Sequence, residues 1–296
     1  MQYIGEISAL LTAALWSVSP YFFTNVILKV GAINLNIYRL VVAGILLMLT
    51  IFILNIDYTI TSQQVFLLSL SGFIGLVVGD TFLFAAYREI GPRVTILIMS
   101  LNPAIAAILA FFMLDEVISI IGIVGMLITL AGIALVVQER ETGDNKLYKI
   151  TRKGVFYGVM AAVGQGVGLI PAKMAFEFGD INSLVATFVR IAAASVFFIP
   201  YFFYNKSAIP ILKTSVKDMK IMGMTLLGSI VGPYLGITFS FIAIMYTKIG
   251  IASTLMSTMP IMMLPLSHFI YKEKVSIKSI IGALIAVAGV VVLILR

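Results

Sequence analysis

The sequence contains no cysteine and one histidine, His268. Disulfides, thiolate nucleophiles and Cys-based metal centres are therefore excluded, and a single imidazole cannot build a paired-His metal site. Charge is scarce as well. Lys, Arg, Asp and Glu make up 11% of the 296 residues, where a soluble domain carries about 25%. So few charges cannot cover a water-facing surface, and a disordered or solvent-exposed coiled-coil chain fails for the same reason. Also missing are the GxxxxGK[ST] phosphate loop and the HExxH, GxSxG and DDxxD signatures. The chain thus has no ATP motor of its own, and an intramembrane enzyme would lack a catalytic constellation. We expect no enzyme activity, no metal and no cofactor.

What is present is apolar: 61% of the chain is hydrophobic. A membrane span needs about 20 such residues, and ten stretches supply them, at roughly 4–24, 34–54, 65–87, 94–113, 118–138, 154–175, 183–203, 220–246, 249–271 and 277–295. An open sheet cannot live in lipid, so the expected fold is an all-α polytopic membrane protein with ten transmembrane helices. The first stretch holds Trp16 and Pro20 and has no basic flank, so it does not read as a cleaved signal. The hydrophilic segments Glu139–Lys153 and Tyr204–Lys220 are too short to fold a domain. Any chemistry must sit inside the bundle.

The chain repeats itself. Met99, Ser100 and Pro103 are echoed by Met256, Ser257 and Pro260, Glu116 by Glu273, Gly125 by Gly282 and Gly132 by Gly289, all at one offset of 157. Gly75 and Gly79 match Gly228 and Gly232 at 153, and Pro20 and Arg39 match Pro171 and Arg190 at 151. We read a first five-helix repeat over 1–138, a linker over 139–153 and a second repeat over 154–296. Five spans per half force the second half to enter the membrane in the opposite sense. Inverted repeats of this kind build secondary transporters around a midplane site.

With its duplicated five-helix halves, the Pro within the fourth and ninth helices, the acidic residues after them (Asp115-Glu116 and Lys272-Glu273) and a Gly-rich last helix, the chain resembles the drug/metabolite transporter superfamily, ten-helix EamA type. The stretch Gly79-Asp80-Thr81-Phe82-Leu83-Phe84-Ala85-Ala86 is similar to a motif in part of that family. The resemblance covers the whole chain. It implies export or exchange of small metabolites, amino acids or amphipathic compounds, driven by a gradient or a counter-substrate, and it is nearly silent about which.

The net charge of +7 fits cationic loops at headgroups rather than nucleic acid, because no basic patch with interleaved aromatics occurs. Fifteen of the 20 Lys and Arg fall in the loops joining helices 1-2, 3-4, 5-6, 7-8 and 9-10. The positive-inside rule puts those loops in the cytoplasm and both termini outside, whereas the resemblance implies termini inside.

Charge at membrane depth is expensive. Asp80, in the third helix, is either a proton-exchanging or substrate-contacting carboxylate or one half of a structural ion pair with Arg39, Arg88 or Lys173. Arg39 and Arg190 share a repeat position and suit a common structural role, or else a substrate carboxylate or gate pair. Arg39 and Lys173 are close enough to helix ends to snorkel. His268 reads as interfacial. Small residues four apart (Gly75/Gly79, Gly164/Gly168, Gly228/Gly232/Gly236, Gly154/Gly158) allow close helix approach. Pro103 and Pro260 are expected to kink their helices, and a discontinuity is expected at Pro233. The candidate substrate-binding set is Trp16, Asp80, Thr81, Asn102, Gln165, Tyr234 and Ser257, with Asp80 the proton-coupling candidate; Ser17, Ser19, Thr238 and Thr258 lie at similar depth. The expected function is secondary-active transport of small organic metabolites by alternating access in the plasma membrane, with a small-molecule substrate, the lipid bilayer and protons as partners, as a monomer or homodimer. A channel, receptor or scaffold is the competing reading.

Overall fold

The structure is a computed structural model that describes residues 3–140, 150–205, 217–271 and 277–295. Most of the 139–153 linker and the Lys272-Glu273 pair lie outside them, as does the side chain of His268. Among the described residues there is no strand. The helices are α1 (Ile4–Val30), α2 (Ala32–Ile53), α3 (Ser62–Ser71), a π-helix π1 (Gly72–Gly79), α4 (Asp80–Met99), α5 (Asn102–Leu114), α6 (Ile120–Arg140) and α7 (Arg152–Glu177). They continue with α8 (Ser183–Phe197), α9 (Ile199–Tyr204), α10 (Met219–Ser229), a second π-helix π2 (Ile230–Tyr234), α11 (Leu235–Tyr246), α12 (Ile249–Met256), α13 (Met259–Tyr271) and α14 (Ile277–Leu295). Eight helical rods are long and apolar enough to cross a membrane, and 120–136 and 249–265 are shorter apolar helices. Large apolar side chains such as Phe52, Phe203 and Ile120 point outward and are at least 80% exposed. Only a lipid solvent favours that outer surface.

The chain reverses abruptly at two glycines. Gly31 (φ 83, ψ 165) joins α1 to α2, and Gly91 (φ 80, ψ 161) breaks α4. An L side chain rarely adopts that conformation, so each reversal needs only one residue. At Pro103 and Pro260 the expected kinks take the form of interruptions of the helical ladder about one turn before each proline. The helices stop at Ser100-Leu101 and Ser257-Thr258, and each proline follows as the second residue of a new helix, where no backbone N–H is required. At Pro233 the expected discontinuity takes the form of π2.

Glycine sets the closest helix contacts. A Cβ added to Gly164 would lie 2.7 Å from the Gly79 Cα, and one at Gly168 would lie 2.9 Å from the Gly75 Cα. The α3–π1–α4 rod and α7 therefore cross backbone to backbone, antiparallel. On the other side of the bundle Gly228 meets Phe23 and Gly236 meets Trp16, so the α10–π2–α11 rod runs antiparallel to α1. A Cβ at Gly125 would stand 3.2 Å from the Gly289 carbonyl, and one at Gly282 would stand 2.9 Å from that of Gly132. Numbers rise along α6 as they fall along α14, so these two helices are antiparallel too.

Polar contacts sort the helix ends into two sets. At one end the Gln64 side chain donates to the Gly179 carbonyl (3.0 Å), and Ile249 N–H donates to Glu116 (2.7 Å). At the other end Lys29 pairs with Asp218 at 3.2 Å, and Thr151 donates to Glu89 at 3.3 Å.

Candidate functional site

The site begins with the two π segments. A π turn shifts the backbone bond from i−4 to i−5, as where Asp80 N–H donates to the Gly75 carbonyl, and it disturbs the pairing of nearby carbonyls. Two amides take up those carbonyls. Asn36 Nδ2 donates to Leu76 O at 2.7 Å and Gln165 Nε2 to Gly75 O at 3.3 Å. The same amides hold the charges. Asn36 Oδ1 accepts from Arg39 Nε (3.0 Å) and Nη2 (2.8 Å), and Gln165 Nε2 also donates to Asp80 Oδ1. Arg39 Nη2 closes the ring by a direct ion pair with Asp80 Oδ2. Arg39 and Asp80 are 6% and 4% exposed. Arg39 thus does not snorkel as expected. A buried carboxylate one helix away gives it a stronger partner than the interface would.

Beside this group lies a cavity of about 140 Å³. Its wall includes Trp16, Asp80, Asn102, Gln165 and Ser257 from the candidate set, together with Ser19, Arg39 and Arg190. Thr81 and Tyr234 do not line it. Thr81 accepts a bond from Asn36 (3.2 Å), and the Tyr234 hydroxyl meets Thr50 at 2.8 Å, against α2. Ser17, Thr238 and Thr258 are also absent from the wall and bond to carbonyls three or four residues back. Trp16 is fixed both by its wall position and by a long bond from Nε1 to the Gly232 carbonyl, 3.4 Å.

Arg39 and Arg190, 151 residues apart in sequence, have parallel surroundings. Arg39 lies 4.8 Å over the Phe84 ring and Arg190 lies 5.1 Å over the Phe241 ring, each a cation–π contact. Arg190 is 2% exposed, and its buried Nε has no hydrogen-bond partner among the described residues. The buried Asn102 Oδ1 likewise accepts nothing. Sequence reasoning missed Asn36, the hub of the polar ring. The available signal was its spacing: three residues before a membrane arginine, it shares that arginine's helix face.

At one end of the bundle a second cluster joins helix termini to the loop residues Glu116, Val117 and Lys248. Glu116 accepts from Ile249 N–H and sits 3.7 Å from Lys173 Nζ, which donates to Ile244 O at 2.6 Å. Lys248 donates to the Val117 carbonyl. Lys173 thus reaches toward the end of the bundle, where a carboxylate and a carbonyl receive its ammonium group. Burial raises the Glu116 carboxyl above its ordinary range, against the lowering pull of the Ile249 N–H and Lys173. At the opposite end Asp218 caps α10. The Ile221 N–H, then Lys29, hold its carboxyl below the ordinary range.

Comparison with known proteins gives three findings. The sequence pattern of the EamA-like transporter family matches twice, over residues 3–138 and again over 152–295. A relative from Bacillus subtilis (strain 168), named as the uncharacterized transporter YetK, is 22% identical over 266 residues, covering 87% of this chain and 77% of its own. A solved crystal structure, described only as that of a protein, matches 99% of this chain and 96% of its own at 15% identity with a TM-score of 0.72. That likeness shows the fold alone.

Proposed function

The chain belongs to the EamA-like transporter family, and from that premise we propose that it is a secondary-active exporter or exchanger of small organic metabolites, working by alternating access around the central cavity. The chain is a multi-pass membrane protein; we assign it to the plasma membrane. The observation that carries the proposal is the cavity itself: charged and amide side chains converge on a partly open space in a lipid-facing bundle, where polar groups are costly unless they serve a solute path.

Two findings support reading the ten apolar helices as inverted five-helix repeats, with residues 1–138 and 154–296 as the copies. The family pattern matches once in each half. The glycine contacts between α6 and α14 are also reciprocal. Gly125 faces Gly289 while Gly132 faces Gly282, and Gly282 and Gly289 are the 157-offset partners of Gly125 and Gly132. Reciprocal contacts between equivalent residues are the mark of two-fold symmetry, and antiparallel equivalents are what inverted copies require.

Within this reading Asp80 is the proton-coupling residue. Protonating it would release Arg39 and Gln165 together, which gives the cavity wall two distinct arrangements. Flux into proteoliposomes tests the proposal. Saturable, temperature-dependent uptake with counterflow supports it, and unsaturable conductance would assign a channel. If proton dependence survives Asp80→Asn, Asp80 is not the coupling residue.

A further inference from the structure

We infer that Arg190 seats a carboxylate, so that the cavity takes small organic acids and discriminates against neutral and cationic molecules of the same size. The inference rests on the transporter reading and names the substrate chemistry which that reading leaves open.

Three charged side chains line the cavity: Arg39, Asp80 and Arg190. Arg39 and Asp80 neutralise each other, and Gln165 occupies the second carboxylate oxygen. Arg190 feels the same Asp80 carboxylate but makes no ion pair among the described residues. It lies against the Phe241 ring, its Nε unbonded among the described residues. The wall therefore carries one positive charge in excess. One carboxylate cannot neutralise two guanidinium groups at membrane depth, where excess charge is costly, and a guanidinium presents a planar fork matched to a carboxylate. An acid entering the cavity supplies what the protein's own residues withhold.

The internal repeat sharpens the point. Arg39 and Arg190 are equivalents and each stacks on a Phe, but at the offset of 153 that relates the neighbouring glycines the counterpart of Asp80 is Pro233. Both halves hold an arginine, and one half holds a counter-ion. The cavity, about 140 Å³, is smaller than the ~300–1,000 Å³ of drug-sized pockets. A carboxylate on a short skeleton, such as a small hydroxy acid or amino acid, matches that space.

Trp16 is the only tryptophan and lines this cavity, so its fluorescence reports occupancy without any flux. Purified protein is titrated with lactate, alanine, propionamide and propylamine, which are close in size and differ in charge. The expected result is a saturable change of Trp16 emission with lactate or alanine and at least tenfold weaker binding of the amide and the amine. Lactate binding alone assigns hydroxy acids, and alanine binding alone assigns amino acids. R190Q weakens the better acid at least tenfold, and R190K recovers part of the loss, which a packing role would not predict. The inference is overturned if propionamide or propylamine binds as tightly as the acids, if none of the four binds, or if R190Q melts cooperatively and keeps its affinity. Should R190Q not fold, the wild-type series decides. Flux separates the two layers of the argument. Saturable transport of solutes without regard to a carboxylate sinks the Arg190 seat and leaves the transporter. Acid binding at Trp16 with no flux in proteoliposomes does the opposite.

Discussion

Asp80 was legible as a residue of interest because ionisable groups at membrane depth are few, and its pairing with Arg39 is one of the two readings the sequence allowed. Asn36 was not legible, since an amide gains meaning only when the fold shows which carbonyl it serves. Asp80→Asn keeps the shape but leaves Arg39 as an unpaired buried cation, so we expect a loss of ~3–5 kcal/mol, read as a lower melting temperature in detergent. Glu116 and Asp218 should respond to pH with opposite signs. Because the folded state raises the Glu116 carboxyl, it holds that proton more tightly than the unfolded chain. The resulting stabilisation is complete at low pH and fades as pH climbs from its ordinary value of 4.5 through the raised one. Glu116→Gln should flatten that part of a melting-temperature profile. The lowered Asp218 carboxyl stabilises above its ordinary 3.8 and loses the effect as pH falls through the folded value; Asp218→Ala should remove that acid-side fall.

At the scale of elements, long apolar runs placed the rods to within a few residues, because lipid demands length and composition together. The π segments were invisible, since an i−5 bond leaves no periodic mark in the sequence. The helix breaks at Ser100-Leu101 and Ser257-Thr258 were anticipated as kinks at the following prolines, and it is the position of each proline in its new helix that makes them breaks. Glycines were legible as small residues, but only the fold shows which ones touch. A side chain at Gly132 would collide with the backbone of α14 at Gly282 and Ala286, whereas Gly223 has nothing within 4 Å. Gly132→Val should therefore cost ~1–3 kcal/mol by overpacking, and Gly223→Ala should be neutral or stabilise by up to ~1 kcal/mol through helix propensity. Paired thermal melts check the contrast.

For the whole molecule the equal offsets were the most legible feature, because they survive in a single chain, and the family pattern matches once on either side of the linker. The cavity was only partly so. Trp16, Asn102, Gln165 and Ser257 could be guessed from polarity and depth, but Thr81 and Tyr234 share both properties and face elsewhere. Depth in the sequence gives no rotational angle about a helix. The absence of cysteine makes topology directly measurable by single-cysteine labelling. Lys29→Cys and Lys217→Cys should react with an impermeant thiol reagent from one side of the membrane, and Asp57→Cys and Asp180→Cys from the other. Labelling of the Asp57 pair from outside follows the charge rule, and the reverse follows the family resemblance.

The excess charge of the cavity belongs to a wall that stays behind when its occupant departs. A monoanion leaving Arg190 would therefore do electrical work of its own, ~2.3 kcal/mol for each 100 mV crossed. Across an inside-negative membrane that work expels a hydroxy acid and resists its return, while an amino acid zwitterion adds no charge to that of the coupled proton. Clamping the potential of loaded vesicles would tell the two cargoes apart by the current they carry.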